Sequence, residues 1–343
     1  MPPHVTYWTG VWDPDREANS KEIDCLRRAL QPHAPVFSFA PHQRSRLRIQ
    51  QRAVTVNARW WIPFRAVTAI AERLGDVSHV FGGLNSWHLI RALSHHAILF
   101  TVTIPGPTLE QPLLSKVACF AVETPCLRQT LLEASVSPDK IRIIYPGIDL
   151  ARFAVTPPPQ PPPFRILFAS SPKDLSELND RGINHLIEIA RALPEVMITI
   201  PWRIWGDLGE AQGALHDLDL PSNFVVQWEV RPRMQSYFSE THVTACCYAP
   251  GFGKAVPNSI VESLASGRPV LVSESCGIAT LVREYKAGVV TDRTVNGTIK
   301  AIDKLRATWT EYAENARRLA KDHFCQQKMI ASYKELYAEL ASA

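Results

Sequence analysis

The stretch GFGKAVPNSIVESLASGRPVLVSESCG, Gly251 to Gly277, carries the strongest ordered signal in the chain. Pro257 stands where a helix begins and Gly267 where it ends, because proline presets the first-turn backbone and glycine takes the left-handed cap. Between them Ile260, Val261 and Leu264 share one face, the stripe expected to be buried. Glu262 points away from that stripe, with Asn258 one turn earlier on its side. The N–H groups of the first turn, on Asn258, Ser259 and Ile260, would form an anion site suited to a phosphate. A carboxylate one turn further in can accept hydrogen bonds from two neighbouring hydroxyls, such as a ribose diol. An ordinary amphipathic helix with Glu262 in water fits the same pattern.

Working outward, both sides of this segment show short apolar runs alternating with helical patterns. Strands are expected at Val5–Trp8, Val36–Phe39, His79–Phe81, Ile98–Thr103, Cys119–Val122 and Ile141–Tyr145, with helices at Ser20–Leu30, Arg65–Leu74, Ser86–Leu93 and Cys126–Ala134. Later strands are expected at Arg165–Ala169, Val196–Pro201, Phe224–Gln227, Val243–Tyr248 and Val270–Ser273. Helices between them fall at Ile183–Leu193, Pro232–Ser239 and Pro257–Ser266. Strands rich in Val and Ile suit a parallel sheet covered on both faces, and this alternation reads as doubly wound α/β. The proline run from Thr156 to Pro163 can continue neither a helix nor a central strand and reads as a semi-rigid linker. The expected domains are therefore 1–155, a linker over 156–163, and 164–323, followed by a helix over 324–343. Whether that last helix packs back onto the first domain is left open by the sequence.

At 343 residues two domains are the default, and 46% hydrophobic with 20% charged residues describes a globular chain. The N-terminus lacks a basic region followed by an apolar run, and no apolar stretch reaches bilayer length, so a cytoplasmic location is expected. Seven cysteines, with no CxxC pair, suit buried or inert thiols better than a disulfide framework or a zinc site. A net charge of +4 is too mild to imply nucleic acid. The arginine-rich segment His42–Arg52 and the Trp60-Trp61 pair beside Arg59 and Arg65 suit a membrane interface or an anionic partner, or else a solvated loop leading into a core helix.

The 254–270 pattern, KAVPNSIVESLASGRPV, resembles the nucleotide-sugar signature of glycosyltransferase family 4, written E-G-F-P-N-x-L-L-E-A-x-A-x-G-x-P-V. Three further segments agree in order: Ile144-Tyr145-Pro146-Gly147-Ile148-Asp149 followed by Phe153, Val122-Glu123-Thr124 with the helix after it, and Arg165–Phe168 with Arg181-Gly182. The likeness spans most of the chain. It implies an α/β GT-B fold, two Rossmann-like doubly wound parallel-sheet domains facing across a cleft. It also implies sugar transfer from a nucleoside-diphosphate donor to a hydroxyl acceptor with retention at the anomeric carbon.

By the same resemblance Glu262 inherits the ribose contact, and Arg181 matches the lysine that neutralises the donor diphosphate. The usual partner arginine after the opening strand is replaced by Ser170-Ser171, with Lys173 near enough to substitute. Lys254 replaces the first glutamate, and a lysine cannot accept a hydrogen bond from a sugar hydroxyl; it can pair with a diphosphate or with an acidic sugar. Thr103 occupies the place of a histidine that faces the donor sugar in many members, with His79 the nearest alternative. Gly10, after the first strand, marks where GT-B enzymes let backbone approach the donor phosphates. Asp13, Asp15 and Glu17 in the same loop are acceptor-side candidates, one of them a base. Neither a metal nor another cofactor is expected, since side chains and a helix terminus supply the positive charge. The acceptor is expected to be a glycan, a lipid-linked molecule or another hydroxyl compound, with peripheral membrane contact through the first domain. A nucleotide-sugar epimerase, a non-catalytic nucleotide- or glycan-binding relative, and a glycosyltransferase acting on nucleic-acid bases are the competing readings.

Overall fold

The computed structural model describes residues 2–40, 47–50, 53–57, 61–94, 97–106, 109–172, 175–203, 208–229 and 233–342. Contact density divides the chain into two compact units, residues 1–147 with 326–343, and residues 148–325.

The first unit is built on strands β1 (Val5–Thr9), β2 (Val36–Ala40), β3 (Leu47–Gln50), β4 (Ala53–Asn57), β5 (Val77–Gly83), β6 (Ala97–Ile104), β7 (Val117–Val122) and β8 (Ile141–Ile143). They form one sheet in the order β3-β4-β2-β1-β5-β6-β7-β8, parallel except for the antiparallel pair β3–β4. Its helices are α1 (Ala18–Leu30), α2 (Trp61–Ala71), α3 (Trp87–Ala92), α4 (Gln111–Leu114) and α5 (Pro125–Glu133). All seven residues of β5 are buried, as expected for a central strand covered on both faces. The Thr124 hydroxyl caps α5 by accepting from the Leu127 N–H at 3.2 Å, and Pro125 opens the helix.

The pair β3–β4 corrects the loop reading for part of the segment His42–Arg52. Leu47 and Ile49 alternate with Arg48 and Gln50 in a strand that pairs with Ala53–Asn57. Arginine at every second position disguised a period of two. The remaining residues of that segment lie outside those described, as does Trp60, while Trp61 opens α2.

The second unit has a fully parallel six-stranded sheet in the order β11-β10-β9-β12-β13-β14. Its strands are β9 (Phe164–Leu167), β10 (Val196–Pro201), β11 (Phe224–Gln227), β12 (Val243–Cys246), β13 (Val270–Ser273) and β14 (Gly288–Thr291). Its helices are α6 (Ile183–Ala192), α7 (Leu208–His216), α8 (Gln235–Phe238), α9 (Asn258–Ala265), α10 (Ala279–Tyr285), α11 (Val295–Ala307) and α12 (Trp309–His323). The stretch 156–163 carries no helix or strand. It is held against this unit by the guanidinium of Arg268, which is 1% exposed and donates to the Thr156 hydroxyl and to the carbonyls of Thr156, Pro157 and Phe238. Burial lowers that guanidinium to about 10.

The last helix, α13 (Gln326–Ser342), belongs to the first unit. Met329, Tyr333, Leu336 and Tyr337 along one of its faces join a core with Tyr7, Ile23, Phe81 and Leu99. The second unit's core gathers Ile166, Ile183, Leu186, Ile198, Ala245 and Leu271, with Ile302 and Leu305 from α11.

Candidate functional site

In the second unit three segments converge at the ends of β9 and β12. After β9 the chain reaches Ser170; Arg181 ends the turn before α6; and the chain leaving β12 runs through Cys247 and Tyr248 into the loop before α9. Gly182 makes this approach feasible. It sits at φ +82°, and a Cβ there would lie 2.3 Å from the Cys247 carbonyl oxygen, so only glycine fits. The Ala249 N–H donates to the Asp180 carbonyl at 2.7 Å and closes the junction.

Arg181 and Ser170, two of the residues singled out by the sequence, are brought together here. The Arg181 Nη1 donates to Ser170 Oγ at 2.7 Å, and its Nε donates to Glu177 Oε2 at 2.7 Å. The guanidinium lies 5.3 Å from the centroid of the Phe252 ring, a cation–π arrangement that leaves the side chain 13% exposed. Nη2 has no hydrogen-bond partner among the described residues. Ser170 Oγ also lies 2.5 Å from the Tyr248 hydroxyl. Burial pushes the Tyr248 phenol well up, so it stays protonated. The hydroxyls of Ser273 and Ser275 donate to the Tyr248 carbonyl at 2.9 Å and 2.6 Å and fix its backbone.

Tyr248, Glu177 and Phe252 were not anticipated. The Glu177–Arg181 pair has the i,i+4 spacing of a helical ion pair and was open to reading. Tyr248 looked like the end of a core strand, and nothing in its local pattern marks it as a partner of Ser170.

Helix α9 presents the face that the sequence assigned. Ile260 and Leu264 are 0% exposed and Val261 1%, while Asn258, Ser259 and Glu262 are half-buried on the other side. Pro257 caps the helix, and Gly267 at φ +67° ends it in the left-handed conformation. One detail changes: the Ile260 N–H donates to the Pro257 carbonyl at 3.0 Å, so only the N–H groups of Asn258 and Ser259 have no intrahelical partner. Lys254 is half-buried, with Nζ donating to the Val256 carbonyl at 3.2 Å. Lys173 lies outside the described residues.

In the first unit Gly10, Asp13 and Glu17 share the loop between β1 and α1. Gly10 is half-buried, and a Cβ there would meet nothing within 4 Å, so the space in front of its backbone is open. Glu17 is the N-cap of α1, its carboxylate accepting from the Ser20 N–H at 2.7 Å and lying 2.9 Å from the Ser20 hydroxyl. That carboxylate is committed to the helix start rather than poised as a base. Asp13 is half-buried, and its carbonyl accepts from the Arg16 and Glu17 N–H groups.

His79 and Thr103 are core residues, in contrast to their expected place beside a sugar. Both are 0% exposed. His79 Nδ1 lies 2.7 Å from the Tyr337 hydroxyl and Nε2 2.7 Å from the Thr101 hydroxyl, so α13 seals this face of the sheet. Burial holds the imidazole well below its ordinary value, hence neutral. The Thr103 hydroxyl turns back to the Gly82 carbonyl at 3.3 Å.

All seven cysteines are free thiols, of which Cys119, Cys246, Cys247 and Cys276 are buried. Burial pushes Cys247 up to about 12, so it is inert as a nucleophile. Cys126 is exposed, and Cys25 and Cys325 are half-buried. Among the described residues no group of three or more His, Cys, Asp or Glu side chains is arranged to hold a metal ion, and no helix is long and apolar enough to cross a membrane.

Comparison with known proteins bears on the fold. A search of curated proteins finds no match. Over the whole chain the structure is similar to sucrose-phosphate synthase (tll1590) from Thermosynechococcus elongatus, with TM-score 0.76, 15% identity and 99% of each chain covered. It is similar to Alr3699/HepE from Anabaena solved with UDP and glucose, with TM-score 0.76, 13% identity, and 98% of this chain and 100% of that one covered. A glycosyltransferase from Rickettsia africae ESF-5 gives TM-score 0.74 at 14% identity with 99% of each chain covered. The fold is therefore GT-B. The family model described as glycosyl transferases group 1 matches residues 164–308, the part of the second unit that holds Ser170, Arg181, Tyr248 and the whole of α9.

Proposed function

We propose that the chain transfers a sugar from a nucleoside diphosphate to an acceptor hydroxyl with retention of anomeric configuration, as family 4 glycosyltransferases do. The observation that carries this reading is α9, whose Asn258, Ser259 and Glu262 share the half-buried face opposite a fully buried stripe, inside the matched segment. The N–H groups of Asn258 and Ser259, which have no intrahelical partner, would receive a phosphate, and Glu262 would accept from the ribose hydroxyls. Arg181 would present Nη2 to the diphosphate while Ser170 and Glu177 hold the rest of its guanidinium. Charge that builds on the outer phosphate as the sugar departs is then met by fixed donors, which need no reorganisation at that moment. Lys254, and Lys173 beside it in role, would add positive charge. This site draws its neutralising charge from side chains and a helix terminus and asks for no metal. The acceptor hydroxyl would attack from the leaving-group side, held mainly by orientation. Within the first unit Asp13, in the β1–α1 loop, is the acceptor-side position to probe.

Alr3699/HepE was solved with UDP and with UDP-glucose, so uridine donors come first in a test. A thermal-shift screen of nucleotide sugars, including uronic acid donors suited to Lys254, should return at least one stabilising donor. Incubation of that donor with acceptors should give a product whose anomeric configuration, read by NMR, matches the donor. No stabilising donor at all would remove the reading. Binding without consumption would point to a non-catalytic relative, a free epimerised sugar to an epimerase, and salt-sensitive duplex binding to a nucleic-acid acceptor.

A further inference from the structure

Helix α2 and the short turn that continues it, Glu72–Leu74, are apolar on two opposite sides. The inward side is conventional. Phe64 (1% exposed), Thr68 (0%) and Ala71 (2%) pack inward, Phe64 against Trp8 and Phe39. Glu72, also 0% exposed, turns its carboxylate inward to accept from the Ser94 N–H at 2.9 Å. A helix that buries one face ordinarily shows polar residues on the other. Here the outward side carries Ile62 (81% exposed), Ala66, Ile70 (65%) and Leu74 (68%), spaced four residues apart so that they form one stripe. With Val67 at 38%, this single element holds four of the six large exposed hydrophobics among the described residues. A lone exposed apolar residue is ordinary, but a stripe of them marks a contact surface.

The surrounding charge selects the partner. Arg65 and Arg73 are exposed beside the stripe. In sequence, residues 32 to 71 contain six arginines, no lysine and no Asp or Glu at all, although the whole chain carries only +4. The acid that follows, Glu72, is the one that faces inward. The next acid, Asp76, is exposed two residues beyond Leu74 and accepts from the His4 N–H at 2.8 Å. An apolar stripe edged by guanidinium groups, with no carboxylate between residues 32 and 71, matches the layering of an anionic phospholipid surface: acyl chains below, phosphates at the level of the arginines.

We propose that the outward face of α2 docks the first unit on an anionic lipid surface, with Ile62, Ile70 and Leu74 entering the acyl boundary and Arg65 and Arg73 on the headgroup phosphates. This surface goes beyond the donor site of the proposed function and does not depend on it. The test is sedimentation of the full chain with vesicles of phosphatidylcholine, with and without phosphatidylglycerol. The chain should partition onto the phosphatidylglycerol vesicles and be released by salt. Replacing three apolar residues together (I62S, I70S, L74S) should weaken partitioning by about tenfold or more. R65Q with R73Q should cost about fivefold per arginine and reduce the salt dependence. Because all five side chains are exposed, melting temperature should be preserved in both variants, which separates lost binding from lost folding. Failure of the parent chain to bind phosphatidylglycerol vesicles, or equal binding by the triple variant, would overturn the proposal. So would self-association in sedimentation equilibrium that the triple variant abolishes, since a second copy would then cover the stripe.

Discussion

Each unit contains a chain of polar side chains linked by hydrogen bonds, and the two chains are built to opposite ends. In the first unit Tyr7, Tyr337, His79, Thr101 and Tyr333 join in series at 3.3, 2.7, 2.7 and 2.9 Å. Every member is 3% exposed or less and uncharged. In the second unit Glu177, Arg181, Ser170 and Tyr248 join at 2.7, 2.7 and 2.5 Å, but two of the four are charged and the Glu177 and Arg181 side chains remain 23% and 13% exposed. Similar distances thus serve different ends. A sealed neutral network meets its own hydrogen-bonding needs and fixes how α13 lies on the sheet. The charged network lies at the ends of the central strands β9 and β12 and leaves Nη2 of Arg181 without a hydrogen-bond partner among the described residues. Of the two networks, the second combines charge, partial exposure and an unused donor.

The largest expected effect separates the two networks directly. Arg181→Ala should lower kcat by about a hundredfold or more, because a fixed donor to developing negative charge is lost. Tyr333→Phe should leave kcat within about twofold while lowering stability by roughly 1 kcal/mol, the typical net contribution of one hydrogen bond. Turnover assays and denaturant melts on both variants check the contrast. An Arg181→Ala variant at full rate would place the charged network in the same structural class as the buried one.

A smaller effect is expected at Glu262. Glu262→Gln keeps the shape of α9 but weakens acceptance from two hydroxyls, so donor affinity should fall by about tenfold, the scale of a hydrogen bond to a charged group. Calorimetry with the best donor measures it, and unchanged affinity would remove the ribose assignment. The fold should be unaffected, since the buried stripe of Ile260, Val261 and Leu264 is untouched.

What could be read from the sequence follows this division. The parallel sheets were legible because their strands are uniform apolar runs, and β10, β11 and β13 match the expected bounds. The start and end of α9 were legible because proline and glycine punctuate them locally. Strand β3 was hidden by Arg48 and Gln50 alternating with its two apolar residues, and β14 by the glycine at its head, Gly288, which reads as a turn. The partners of Arg181 were only partly legible: Glu177 is four residues away, whereas Tyr248 comes from 67 positions downstream of Arg181 through the close approach that Gly182 permits. His79 was misplaced for a related reason. A histidine in a short apolar run before Gly82-Gly83 reads as a site residue until a helix more than 240 positions later is seen to cover it.

The gentlest test concerns that histidine and its proton. His79 is neutral in the folded state because burial depresses its affinity for a proton below the ordinary value of 6.5. The unfolded chain therefore binds the proton more readily, and low pH favours unfolding. The stability that a neutral His79 contributes is complete above about pH 6.5 and is lost as pH falls from there toward its folded value. His88, His185 and His242 are lowered in the same direction, again chiefly by burial, so the whole chain should lose stability below that pH. His79→Gln lacks the titrating group while retaining a donor and an acceptor. It should flatten the slope of unfolding free energy against pH by up to about 1.4 kcal/mol per pH unit, the equivalent of one proton. Above pH 7 it should show no pH-dependent difference from the parent. Denaturant melts between pH 5 and 8 measure both slopes. Equal slopes would mean that His79 gains its proton without leaving the fold, and the buried network would then share the openness that distinguishes the Arg181 site.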